Sequence, residues 1–184
     1  MSSPGAIVAK PTNLPELLAR AISLHGPRPF LGVRTSTARE QSLTFAEFGM
    51  AVEHAAARLA AAVPSGSRVL VQGAPGPGFA AVLFAAPRAD VILVPLDSRM
   101  TQDTVARIAA LTEPVAILLG GGATLEPATV PTLAALPVLD LDDIVLPPDP
   151  TAVEALAART TTPPGAPWRS SAPQAPPGTP RASP

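Results

Sequence analysis

Residues 68–94 read RVLVQGAPGPGFAAVLFAAPRADVILV, and their pattern decides the fold. Arg68 to Gln72 and Val91 to Val94 are short apolar runs built on β-branched residues, the pattern of strands buried on both faces. Between them lie a loop, Gly73 to Gly78, and a nearly all-apolar helix, Phe79 to Ala86. Strand, helix, strand over so short a span is a βαβ unit with parallel pairing.

The same alternation extends outward. Upstream, Asn13 caps a helix to about Leu24, with Leu14, Leu17, Leu18, Ala21 and Ile22 as its apolar positions, and Gly26 and Pro27 end it. Phe30 to Arg34 is a short strand, turned by Ser36 to Arg39 toward Ser42 and Leu43. Thr44-Phe45-Ala46-Glu47 is a capping box opening a helix to about Ala62, with Phe48, Val52, Ala55, Ala56 and Leu59 inward. Pro64, Ser65 and Gly66 turn the chain into the strand at Arg68. Downstream, Thr101 caps a helix to about Leu111, Val115 to Leu119 is a strand, and Gly120 to Gly122 break it. A weaker helix is expected over Val130 to Leu136 and a last strand over Val138 to Leu141. The fold class is α/β: a mostly parallel sheet with helices on both faces, followed by a disordered Pro-rich tail. The expected division is a flexible N-terminus over 1–12, an α/β unit over 13–146, and a Pro/Ala-rich tail over 147–184.

Composition narrows the function. Thirteen basic against 14 acidic residues leave a net charge of −1, without the basic excess of a nucleic-acid binder. Cysteine is absent, excluding disulfides, thiolate metal sites and a cysteine nucleophile. No run approaches the ~20 apolar residues of a membrane span, and MSSPGAIVAK is not a secretory signal, so a cytoplasmic protein is expected. Hydrophobic residues make up 47% and aromatics 3%, so Ala, Val and Leu must build the core. Of 25 prolines, eight fall between Pro163 and Pro184.

Several segments in order resemble the start of the adenylate-forming ligases, the AMP-binding enzymes that include acyl-CoA synthetases. They are Asn13-Leu14-Pro15-Glu16-Leu17-Leu18, then Ser42 to Phe48, then Pro64-Ser65-Gly66-Ser67-Arg68-Val69-Leu70-Val71, similar to a "pGdrV" turn into a strand. Phe79 to Val94, closing on Val94-Pro95-Leu96-Asp97, and Thr104-Val105-Ala106-Arg107-Ile108 complete the set. Pro87 and Asp90 depart from it, standing where the family usually has an apolar residue and a glycine. The resemblance implies the N-terminal subdomain of that fold. For an intact member it implies activation of a carboxylic or fatty acid with ATP and Mg²⁺ through an acyl-adenylate, the acyl group then passing to a thiol such as CoA, or to a carrier protein.

The family's phosphate loop, a Ser/Thr/Gly-rich run ending in Pro-Lys-Gly, is not present as written, nor are its later ATP- and CoA-handling segments. A one-base shift permits it. Take the third base of each codon with the first two of the next; from Ala172 to Ser183 the shifted frame allows TSGTTGDPKGV. A frame slip between about Ala158 and Ser170 is therefore expected, leaving a chain truncated or frame-shifted before its nucleotide site. No residue here inherits a catalytic, cofactor-binding or metal role, and no cofactor is expected on this chain. Apolar surface left open favours self-association.

Other features carry modest signals. Gly73, Gly76 and Gly78 follow a strand and precede a helix, but the spacing is not GxGxxG, and Pro75 and Pro77 remove N–H donors a phosphate needs; they read as turn residues. Gly120-Gly121-Gly122 ends a strand where open α/β sheets bind ligands, and reads as a flexible exit loop. His25 and His54 lack a triad partner and read as exposed or packing residues. Asp140, Asp142 and Asp143 as a cation site, and Arg68 and Arg99 as an anion site, yield to solvated surface. Ser170, Ser171 and Arg181 suggest a phosphate site only weakly, against solvated disorder. The contrasting reading is a non-catalytic α/β binding or scaffold module whose Pro-rich tail, with Pro173-Gln174-Ala175-Pro176, engages partners.

Overall fold

The computed structural model describes residues 10–33, 41–147 and 149–160. Its centre is a four-stranded parallel sheet of β3 (Arg68–Gln72), β4 (Ile92–Pro95), β5 (Ala116–Leu119) and β6 (Val138–Asp140), in the order β4-β3-β5-β6. The βαβ reading of residues 68–94 holds: Leu70 pairs with Val94 on one side of β3 and with Ile117 on the other. Alternate strand residues serve two cores, as the strand period of two requires. Val69, Val71, Ala116 and Leu118 face one hydrophobic cluster, and Leu70 and Ile117 face a second.

The first cluster is covered by α1 (Leu14–His25), α2 (Phe45–Ala62), α3 (Pro77–Arg88) and α5 (Pro150–Thr160), and the second by α4 (Gln102–Thr112) with residues 125–133. Helix α2 is the hub. Thr44 and Glu47 form the capping box, and Phe48, Val52, Ala55, Ala56 and Leu59 are wholly buried. Alanine lets neighbours approach closely, and at Gly49 even a Cβ would stand 2.4 Å from Ile22 Cδ1 of α1. The few aromatics are pooled beside it. Phe30 stacks on Phe45 at 4.5 Å and on Phe48 at 5.0 Å, and Phe48 meets Phe84 edge-on at 5.6 Å. Phe30 belongs to β1 (Pro29–Val33), which pairs antiparallel with β2 (Gln41–Thr44) in a separate sheet. The expected turn at Ser36 to Arg39 lies outside the described residues.

The corner from α3 into β4 explains the two departures noted in the sequence. Pro87 sits in the last turn of α3, where its missing N–H costs one bond while Ala89 and Val91 still donate to the Ala85 and Ala86 carbonyls. Asp90 adopts φ +51°, the left-handed conformation that glycine takes without steric cost. Its carboxylate accepts the Ser65 hydroxyl, and its carbonyl accepts the Gly66 N–H at 2.6 Å.

Two expectations fail. No helix covers Val130 to Leu136; a 3₁₀ turn at Pro127–Thr129 and further turns carry Val130 and Leu133 into the second core. Pro131 and Pro137 bracket too short a run for an α-helix to repay its nucleus. The second failure is the tail boundary. Residues 149–160 are not tail: Asp149 Oδ1 accepts the Ala152 N–H at 2.9 Å, Pro150 opens α5, and Ala152 and Leu156 bury against α2.

Arg159 fastens that helix. Its guanidinium donates to the carbonyls of Ala60 (2.6 Å) and Val63 at the end of α2, and to Ala89 at the end of α3. A cation on the orphan carbonyls of two helix ends satisfies both hydrogen bonding and the helix dipoles. The connection from β6 to α5 is pinned from α2 as well: His54 Nδ1 lies 2.9 Å from the Val145 carbonyl, and Arg58 donates to Leu146 and Pro147.

Candidate functional site

In an open parallel sheet the ligand crevice lies beyond the strand carboxyl ends where the strand order reverses. Here β3 is followed by β4 on one side and β5 lies on the other, so that point is the gap between Gln72 and Leu119. Gln72 is the one buried polar residue among those described. Its Oε1 accepts the backbone N–H groups of Thr124 (2.8 Å) and Leu125 (2.7 Å), and its Nε2 donates to the Asp97 carbonyl at 3.2 Å. Thr124 Oγ1 donates to the Ser98 carbonyl at 2.6 Å. One amide thus ties the loops after β4 and β5 to the end of β3. No local motif marks Gln72; the only signal is a polar residue closing the apolar run RVLV.

Three glycines of the neighbouring loops, Gly73, Gly78 and Gly120, meet Leu141. A Cβ at Gly78 would stand 2.0 Å from the Leu141 carbonyl oxygen; at Gly73 and Gly120 it would stand 2.9 Å from Leu141 side-chain carbons. The start of α3 therefore abuts Leu141, and the turn reading of Gly73, Gly76 and Gly78 fits. Gly120 to Gly122 form a turn held by the rest of the site and not a free exit loop: Gly120 donates to Gln72, Ala74 donates to Gly121 at 2.6 Å, and Gly122 has φ +77°. Leu141 and the Gln72 network fill the space between these strand ends.

The remaining candidates are dispersed. Arg99 forms an exposed pair with Asp97 (2.7 Å), and its hydrogen bonds hold the Asp97 carboxyl down to about 2. Arg68 donates to the Thr112 carbonyl at 3.3 Å. Asp140 Oδ1 accepts the N–H of Asp142 and of Asp143, making a turn, and among the described residues no group of three His, Cys, Asp or Glu side chains is placed to hold a cation. His25 packs 5.5 Å from Phe45, and His54 is the packing histidine described above. Ser170, Ser171, Arg181 and the Pro173–Pro176 motif lie outside the described residues. Two grooves flank α1, one of about 460 Å³ on its outer side and one of about 340 Å³ toward α2, and neither reaches the strand ends. No helix among the described residues is long and apolar enough to cross a membrane.

The architecture is thus an open, parallel α/β unit whose switch point its own side chains fill. A model of the AMP-binding enzyme family matches residues 19–181, most of the chain, and the protein belongs to that family. No curated protein sequence matches it. Among solved structures it resembles a fatty acyl-adenylate ligase from Legionella pneumophila in complex with acyl adenylate and pyrophosphate (18% identity, TM-score 0.57), over 77% of this chain and 25% of that one. It also resembles the O-succinylbenzoate coenzyme A synthetase of Bacillus subtilis in complex with ATP and magnesium ion (18%, TM-score 0.58; 71% and 34%). A fatty acyl CoA synthetase of Mycobacterium tuberculosis matches likewise (15%, TM-score 0.57; 79% and 28%). The chain spans about a quarter to a third of these proteins, and the likeness establishes the fold.

Proposed function

We propose that this chain is the N-terminal α/β portion of an acyl-CoA synthetase-like, adenylate-forming ligase. The family match over residues 19–181 carries the reading. The whole enzyme activates a carboxylic acid, a fatty acid by analogy with two of the neighbours: the carboxylate attacks the α-phosphate of ATP, giving an acyl-adenylate and releasing pyrophosphate. A thiol, that of CoA or of a carrier protein, then takes the acyl group. The compartment in this reading is the cytoplasm.

The polypeptide itself is inactive in this proposal. The phosphate-loop motif is missing from the written sequence, and Leu141 fills the crevice at its own sheet's switch point. The proposed frame slip belongs after Arg159, because Leu156 and Arg159 still serve the packed unit. The folded unit then runs from about residue 13 to 160.

ATP–pyrophosphate exchange tests the reading, run with a panel of fatty and aromatic acids. Background exchange from this chain is expected, together with exchange from the product of a gene returned to the shifted frame after the Arg159 codon. Exchange above background from the chain as it stands overturns the inactivity. A coding sequence in which no one-base shift opens TSGTTGDPKGV and a long frame overturns the slip.

A further inference from the structure

Helix α1 is apolar over more of its circumference than the fold covers. Leu18 is its one buried residue, while Leu14, Leu17 and Leu24 are 43%, 46% and 64% exposed. With Ala21 they recur at intervals of three, four and three residues, so they line one side of the helix. That stripe runs toward His25, Phe45 and Phe30, the last 42% exposed. Beside it the 460 Å³ groove has an apolar floor of Leu17, Ala21 and Leu24, and its charged or titratable lining is Lys10, Arg20 and His25, with no acid. Arg28 stands exposed just past the helix. The acid of α1, Glu16, is engaged by the Thr12 N–H and hydroxyl, both at 2.9 Å, and feels Arg20.

We propose that the outer face of α1 docks on an anionic lipid bilayer. A helix lying in the interface buries an apolar stripe among acyl chains while basic groups at its border meet lipid phosphates. A second copy would bring the same cations to the contact, whereas anionic headgroups complement Lys10 beside the groove and Arg28 past the helix. The helix is about 18 Å long, enough for peripheral contact and not for spanning. The inference is independent of the adenylation reading.

Co-sedimentation of the full chain with vesicles tests it, using phosphatidylcholine alone and a three-to-one mixture with phosphatidylglycerol. Binding to the anionic vesicles is expected at least ~10-fold above the neutral ones, and should fall as salt rises. Leu17→Gln with Leu24→Gln, and separately Lys10→Glu with Arg20→Glu, should each lower it by about 10-fold. Leu111→Gln, removing an 84% exposed leucine on α4, should leave it unchanged. Circular dichroism and melting check that each variant remains folded. Equal binding to both vesicles, no binding, loss with Leu111→Gln, retention by the α1 variants, or a vesicle-free oligomer dispersed by the leucine changes each overturns the proposal.

Discussion

Gln72 Oε1 accepts the Leu125 N–H at 2.7 Å across 53 residues of chain, inside a core otherwise built of hydrocarbon. The bond decides how the loop after β5 is seated. Its removal leaves two N–H groups, of Thr124 and Leu125, without their acceptor, each costing about 1–3 kcal/mol when kept from water. Gln72→Leu should therefore lower unfolding free energy by about 3 kcal/mol in urea titration, despite the similar volume. A loss below ~0.5 kcal/mol would show that water replaces the amide.

Arg159 should matter for the same reason on the opposite side of the sheet. It gathers carbonyls from the ends of α2 and α3, and burial lowers its pKa, though not far enough to discharge it near neutrality. Arg159→Ala should cost about 2 kcal/mol, the scale of charge-assisted bonds. Lysine, a compact point charge in place of a planar fork, should recover less than half. A chain ending at residue 148 should melt well below one ending at residue 160. Equal melting temperatures would return the boundary to residue 146.

Much of this architecture is legible in the sequence because its signals are local. The capping box at Thr44 and Glu47, the apolar runs of β3 to β5, and the inward positions of α2 are all marked by residue patterns within a few positions, although the strands and α2 pack on distant partners. Helix α5 is harder to see. Asp149-Pro150 is a sound helix start, yet it stands in proline-rich surroundings, and the partners of Leu156 and Arg159 lie on α2 and α3. The site is less legible still. Glycines 73, 78 and 120 read as turn and loop residues, and nothing in the sequence says that Leu141, supplied by β6's exit, packs against all three. Gln72 reaches Leu125 through tertiary structure alone.

Left-handed backbone offers a stability gain. Glu113 closes α4 at φ +46°, where a side chain costs about 1 kcal/mol that glycine does not incur. Glu113→Gly should raise the melting temperature by several degrees in calorimetry. Asp90→Gly should gain less, because it also removes the hydrogen bond from Ser65. Ser65→Ala should be destabilising in the native background and neutral in Asp90→Gly, so the double-mutant cycle reads the bond directly.

Acid should erode this fold through its capping carboxylates. Arg99 holds Asp97 down to about 2, the hydrogen bonds from Thr12 and Thr44 lower Glu16 and Glu47, and Thr151 lowers Asp149. A group whose folded pKa lies below its unfolded value stabilises fully above the unfolded value, and the contribution disappears as pH falls through the folded one. Stability should thus decline from about pH 5 toward pH 2. In Arg99→Ala the NMR titration of Asp97 should move up toward ~3.9. An unmoved titration would mean that the pair does not persist in solution.

Leu141 and its glycines make a graded test of whether the crevice is filled as described. Gly78→Ala sets a methyl against the Leu141 backbone carbonyl, so it should destabilise severely, by more than ~3 kcal/mol, and trimming the Leu141 side chain should not rescue it. Gly73→Ala instead meets Leu141 Cδ1, an atom that Leu141→Ala removes. Each of those two changes alone should be costly, the second leaving a cavity worth about 2–5 kcal/mol, and together they should cost less than their sum. Gly120→Ala falls between them, because it meets Leu141 Cβ as well as Cδ1 and alanine keeps the Cβ. The order of rescue, Gly73 above Gly120 above Gly78, follows from which Leu141 atoms each glycine faces. Additive costs at all three positions would mean that Leu141 does not sit among them and that the strand ends are open.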